Sequence, residues 1–259
     1  MNFPCNLALL LIGLLNTPAR AQSDPQSPFE AASIEPSRPG EVRPTMEFLP
    51  GGRFRSTNMP LLAALATAYN VPWQSLETLR IGGVPAWVLA EKYDIEATAS
   101  ITDATAKARN EKMRLMLRSV LADRLKLKMR REVAEMPIYA ITVGAHGPKL
   151  EKAKFDENDC AETCHQFQGG AGRGIHGTAV DMADLALYVS NWTDAPVIDQ
   201  TGLKGLYAIQ TEGWSRAPDD DPSRPSLSTI FEQFGLKLTR GKGPVEILVI
   251  EHIEKPAEN

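Results

Sequence analysis

Leu62-Ala63-Ala64-Leu65-Ala66-Thr67-Ala68-Tyr69 sets apolar side chains at Leu62, Leu65, Ala66 and Tyr69, the i, i+3, i+4, i+7 stripe of a helix with a buried face. Met182-Ala183-Asp184-Leu185-Ala186-Leu187-Tyr188-Val189 repeats the stripe 120 positions later, at Met182, Leu185, Ala186 and Val189. Each stripe follows a short β-prone segment: Gly52-Arg53-Phe54-Arg55-Ser56-Thr57 in one case, Gly174-Ile175-His176-Gly177-Thr178 in the other. Asn58 and Asp181 stand at the expected N-caps, where a short side-chain oxygen accepts the free amide protons of a first turn.

The same order continues downstream. Lys92-Tyr93-Asp94-Ile95-Glu96-Ala97 and Leu206-Tyr207-Ala208-Ile209-Gln210-Thr211 alternate as strands with one wet face. A second helix follows in each half, carried by Met113, Met116, Leu117, Val120 and Leu121, and by Leu227, Ile230, Phe231 and Phe234 with Gly235 as C-cap. Leu125-Lys126-Leu127 and Leu236-Lys237-Leu238 come next. Two β-prone runs headed by proline then close the halves, Pro137-Ile138-Tyr139-Ala140-Ile141-Thr142-Val143 and Pro244-Val245-Glu246-Ile247-Leu248-Val249-Ile250. The offset falls to 114 at Tyr93 and Tyr207, 111 at Leu125 and Leu236, and 107 at Pro137 and Pro244, as shorter loops in the second copy require.

Four matches in unchanged order predict an α+β fold of two diverged strand-helix-strand-helix-strand-strand units with antiparallel-rich sheets. The units are residues 22–150 and 174–259, the closing two strands of each being antiparallel. Phe29-Glu30-Ala31-Ala32-Ser33-Ile34 is expected to add an edge strand. Residues 151–173, acidic and then Gly-rich at Gly169-Gly170-Ala171-Gly172-Arg173-Gly174, read as a linker, and residues 217–225 as an exposed loop.

Residues 1–21 read as a cleaved secretory signal. The apolar run Leu7–Leu15 is too short to span a bilayer, and Ala19-Arg20-Ala21 before Gln22 is an A-x-A cleavage signature. No later stretch approaches a membrane span, so the mature chain is expected in the periplasm or the medium. The net charge of −4 becomes one more negative once Arg20 departs, which gives no reason to expect a nucleic-acid partner.

Several motifs together resemble a known family. They are Phe29-Glu30-Ala31-Ala32-Ser33-Ile34-Glu35-Pro36-Ser37, Gly83-Val84-Pro85-Ala86-Trp87 leading to Tyr93-Asp94-Ile95, and Met116-Leu117-Arg118 through Leu121-Ala122-Asp123-Arg124-Leu125-Lys126-Leu127. Pro196-Val197-Ile198-Asp199-Gln200-Thr201-Gly202-Leu203-Lys204-Gly205-Leu206-Tyr207 and the ending Val249-Ile250-Glu251-His252-Ile253-Glu254-Lys255-Pro256 complete the set. They are similar to the soil-associated secreted bacterial family of unknown function, whose domain is sometimes fused to a membrane metallopeptidase of the β-lactam-sensor type. The resemblance implies no catalytic residues; the fusion implies an extracytoplasmic sensing or binding role. This chain carries no His-Glu-x-x-His zinc motif.

Cys160 and Cys164, the only cysteines after the signal, are expected to form a local disulfide. Metal binding by Cys160, Cys164 and His165, with His176, is the alternative; covalent haem would need one residue fewer between the cysteines. The histidines, His146, His165, His176 and His252, sit in no zinc or nucleophile–base motif and read as surface or strand-end residues, and no Gly-x-Ser-x-Gly, Ser-x-x-Lys or Walker loop is present. Among the carboxylates, Asp94, Glu96, Asp181 and Asp184 read as exposed or capping groups.

Cations gather on the first unit's second helix and its exit, at Arg109, Lys112, Arg114, Arg118, Arg124 and Lys126. They read as a solvated helix face or a docking surface for an anionic envelope component. Trp73 and Trp87 flank the preceding loop and read as packing groups or the lining of a ligand groove. With no catalytic constellation and no cofactor motif, the expected function is an extracytoplasmic binding or sensing module. A secreted hydrolase with an active site between the units is the alternative, and a cysteine-based metal or redox protein the third.

Overall fold

The computed structural model describes residues 29–257 except 39, 41–42, 50, 73–80, 102–104, 161–163 and 216–220. The signal at 1–21, Trp73 and residues 217–220 therefore lie outside the described residues.

Along the chain, β1 (Ala31–Pro36), β2 (Thr45–Leu49) and β3 (Arg53–Pro60) lead into α1 (Leu61–Tyr69). Then come β4 (Ile81–Gly82), α2 (Ala86–Ala90), β5 (Lys92–Thr98), α3 (Ala106–Arg124) and the long β6 (Lys128–Val143). The second half has β7 (Glu151–Lys152), β8 (Gln168–Gly170), β9 (Gly174–Val180), α4 (Met182–Val189), β10 (Val197–Asp199), β11 (Tyr207–Gln210), α5 (Leu227–Gln233) and β12 (Leu236–His252). The fold is mixed α+β with three four-stranded sheets, mostly antiparallel: β1-β5-β3-β2, β10-β6-β12-β4 and β7-β11-β9-β8.

The helices form where the apolar stripes stand. α1 is buried over nearly its whole length, from Leu61 to Ala66 and at Ala68. α4 buries Met182, Leu185, Ala186 and Val189. Asp181 caps α4 in a reciprocal box: its carboxylate accepts the Asp184 N–H, and the Asp184 carboxylate accepts the Asp181 N–H. Gly235, at φ 66°, ends α5. Asn58 does not cap α1. β3 runs on to Pro60 through a bulge between Ser56 and Met59, which leaves Asn58 left-handed at φ 53° with its N–H donating to Asp94 at 2.8 Å. Pro60 takes the cap position without a side-chain hydrogen bond.

The closing strands depart from expectation. Each half ends in one continuous strand rather than an antiparallel pair, and the two strands, 16 and 17 residues long, pair with each other. At about 3.4 Å per residue the ribbon is roughly 50 Å long, enough to reach both cores. Pro137 and Pro244 lie inside these strands because β6 and β12 have a neighbour on one side only at those positions, so a missing N–H facing the open edge costs no ladder bond. β10 joins β6 in parallel at Tyr139–Ile141, and β4 joins β12 in parallel at Ile81–Gly82.

The cores are thereby crossed. The first, under α1 and α3, takes Leu248 and Ile250 from β12; the second, around α4 and α5, takes Ile141 from β6. β1 holds an edge of the first sheet as expected. Residues 151–173 supply both edge strands of the third sheet. Their glycines make close backbone approaches: a Cβ on Gly169 would run into the Gly174 carbonyl, and one on Gly174 into that of Thr211.

Leu248 is 2 % exposed. Its truncation to alanine is expected to cost about 2–5 kcal/mol in denaturant unfolding. Hydrogen exchange should locate the loosening in α1 and α3, more than a hundred residues away in sequence, rather than in α4.

Candidate functional site

The cations expected to form a docking face are largely engaged within the chain. Arg118 donates to the Ala68 carbonyl at 2.7 Å and lies 4.9 Å from the Tyr69 ring centre, tying α3 to the end of α1. Arg114 pairs with Glu111 at 3.7 Å, Arg124 with Asp123 at 3.7 Å, and Lys126 donates to the Asp123 carbonyl at 2.9 Å. Arg109 is half-buried and Lys112 exposed on the same helix. Trp87 is half-buried against Tyr93, 6.4 Å between ring centres, with Lys255 above it. Asp94 is a bracket, accepting from the Ser37 hydroxyl as well as from Asn58; Glu96 pairs with Arg55.

Two other places concentrate chemistry, both in the second half. The first is a groove of about 520 Å³ on the outer face of the third sheet. β9 buries Ile175, Gly177 and Ala179 and exposes His176 and Thr178 between them, while β11 exposes Gln210 opposite His176. These polar groups form the floor. Phe155, 48 % exposed, and Phe234 stand at the sides with Lys149 and Lys154. Neither lysine is in an ion pair with a described residue, whereas Lys152 is bound to the Lys204 carbonyl and the Tyr207 hydroxyl. Glu151 is the one acid among the lining residues.

The second place lies behind the groove. Cys160 and Cys164 form a disulfide, Cα atoms 5.8 Å apart, packed on Ala179 and Leu206. With both sulfurs so used, they are not thiolate ligands for a metal shared with His165 and His176. His165, in the left-handed region at φ 59°, donates its backbone N–H to Ala179 and keeps only 6 % of its side chain exposed. Its Nδ1 lies 2.6 Å from Asp184 Oδ2 and its Nε2 3.1 Å from Glu157 Oε2.

Lys107, from the first turn of α3, reaches Asp181 Oδ2 at 3.0 Å and so joins the first half of the chain to the cap of α4. His165, Asp181 and Asp184 bring oxygen and nitrogen atoms within 4.8 Å of one another, but the Lys107 ammonium and the imidazole already meet those oxygens. With a carboxylate at each ring nitrogen, His165 has both nitrogens engaged and neither open to activate a nucleophile. Burial works against ionising Asp181, yet the Asp184 N–H and the Lys107 charge keep its carboxyl below the ordinary value.

The third sheet, its groove and the enclosed His165 side chain describe a mixed α+β protein with a shallow groove of mixed polarity. The chain belongs to the DUF3738 family, described as a protein of unknown function, whose model matches residues 63–253. No curated protein and no solved structure matches it.

Asp181→Ala removes the cap and the ion pair together, and is expected to lower stability by about 0.5–2 kcal/mol. Asp181→Asn keeps a good cap and removes only the charge, so it should cost under about 1 kcal/mol. Because the native carboxyl is held low, its contribution is present above the unfolded value and fades as pH falls through the folded one. The acid limb of a thermal-unfolding pH series should therefore be shallower in Asp181→Asn.

Proposed function

We propose that this chain is an exported binding module whose ligand is a small organic anion bearing an apolar group, seated in the groove of the third sheet. The observation that carries the reading is the pairing of two ammonium groups in no ion pair with a described residue, Lys149 and Lys154, with an exposed aromatic ring, Phe155, over a hydrogen-bonding floor. The groove volume falls in the usual range for small-molecule sites. A phenyl or alkyl part fits between Phe155 and Phe234, and an acidic head reaches the lysines while His176, Thr178 and Gln210 fix its orientation. The signal-like residues 1–21 and the resemblance to a soil-associated secreted family support an extracytoplasmic setting.

We further infer that the two halves descend from one duplicated unit that exchanged its last strand. Supporting this, the first and third sheets share one order when β1, β2, β3 and β5 are matched to β7, β8, β9 and β11. The short parallel strands β4 and β10 also dock on the long strands of the opposite halves.

An aromatic sulfonate, 8-anilinonaphthalene-1-sulfonate, is the direct probe. Saturable one-site binding to the folded protein is expected, weakened roughly tenfold or more in the Lys149→Ala, Lys154→Ala double variant, with circular dichroism unchanged. Binding indifferent to both lysines would remove the reading.

A further inference from the structure

Lys154 and Phe155, which form one wall of the groove, stand between two anchors. On one side the Ala153 N–H donates to the Leu206 carbonyl at 3.0 Å. On the other, the Glu157 carboxylate meets His165 Nε2 at 3.1 and 3.2 Å, and His165 is itself fixed to α4 through Asp184 at 2.6 Å. A neutral imidazole carries one N–H and one lone pair, so it donates to one carboxylate and turns its lone pair on the other. Only the imidazolium donates to both. The Asp184 contact is the shorter, so loss of the proton breaks the Glu157 contact first.

We propose that His165 is a proton-operated clasp on the ligand groove. As imidazolium it binds Glu157 and Asp184 together and holds the Lys154–Phe155 wall in place; deprotonated, it lets Glu157 and the wall go. The consequence for ligand rests on the binding reading above, but the clasp chemistry does not.

The surroundings favour the charged ring. Asp181 and Asp184 face it from α4 and Glu157 from the wall. The cations opposite come from α3: Lys107 on Asp181, and Arg114, which Glu111 partly neutralises and whose charge acts on Asp184. The positive end of α4 opposes an imidazolium, and the two capping carboxylates at that end offset it. The hydrogen bond that His165 Nδ1–H donates to Asp184 raises the His165 pKa above its ordinary 6.5 despite the burial of the ring, with the charges of Asp184, Glu157 and Asp181 adding to it.

A group whose pKa is raised on folding contributes fully below its unfolded value, and that contribution fades as pH climbs through the folded one. The wall is therefore fast in mildly acidic medium and freed toward alkaline pH.

Amide hydrogen exchange of the full chain at pH 5.5 and 8.5, expressed as protection factors for residues 153–158, tests this without any ligand. Protection is expected to fall roughly ten- to a hundredfold at the higher pH, the range a charge-assisted hydrogen bond supplies. His165→Gln should show the low value at both pH values. Glu157→Gln is the sharper variant: its amide donates to a neutral ring and accepts from a charged one, so protection should become independent of pH with the fold kept. Side-chain NMR should place the His165 titration above 6.5.

Protection unchanged by pH in the wild type, or a His165 titration at or below 6.5, would overturn the clasp. The sulfonate probe, titrated at both pH values, separates the two ideas. PH-dependent protection without sulfonate binding upholds the clasp and removes the ligand reading; sulfonate binding over a wall indifferent to pH does the reverse.

Discussion

Everything in this molecule hangs on the antiparallel pairing of β6 with β12. The register runs from Leu236 opposite Val143 to His252 opposite Lys128. Each strand serves one core with its first residues and the other with its last: Met129 packs against the first core and Ile141 lies in the second, Leu236 in the second and Leu248 and Ile250 in the first. Side-chain alternation makes a one-residue slip intolerable, because it would turn both sets outward at once. Exposed ion pairs such as Arg131 with Glu246 and Arg130 with Glu251 line the ribbon beside the first core. They are worth little as stabilisation. They do mark the register, and with Pro137 and Pro244 they make the long open edges poor templates for a foreign strand.

The elements were legible because they are local. The stripe at Met182, Leu185, Ala186 and Val189 buries those four residues, and Asp181 caps the helix they define. The alternation around Tyr93 and Ile95 is a strand with both residues buried. Two cysteines four apart had one simple outcome. The crossing of the long strands was not legible: the apolar runs at 137–143 and 244–250 are chemically alike, and nothing in their composition says which core each will serve. Proline misled for a related reason, since its strand-breaking effect depends on whether a neighbour stands on its N–H side.

The charged groups divide along the same line. The basic run on α3 was visible, but the acids and carbonyls that take up Arg118, Arg124 and Lys126 are fixed by the turn of the helix and its packing on α1. His165 looked like a surface residue in a polar stretch. Its environment is made by Asp184, on a different element, and by Glu157, eight residues back on the far side of the Cys160–Cys164 disulfide. An acidic segment, a histidine and a capping aspartate each had an ordinary explanation alone; folding brings them together. The groove was hidden likewise, since Phe155, His176, Gln210 and Phe234 come from four separate segments.

The crosswise assignment of strand ends also bears on how the chain comes to be folded. Leu248 and Ile250, which finish the first core, come from β12, more than a hundred residues beyond α1 and α3. The N-terminal half cannot seal its apolar interior while the rest of the chain is still being made. Closure of a loop spanning well over a hundred residues has to precede it, which is slow and leaves greasy surface open to neighbours.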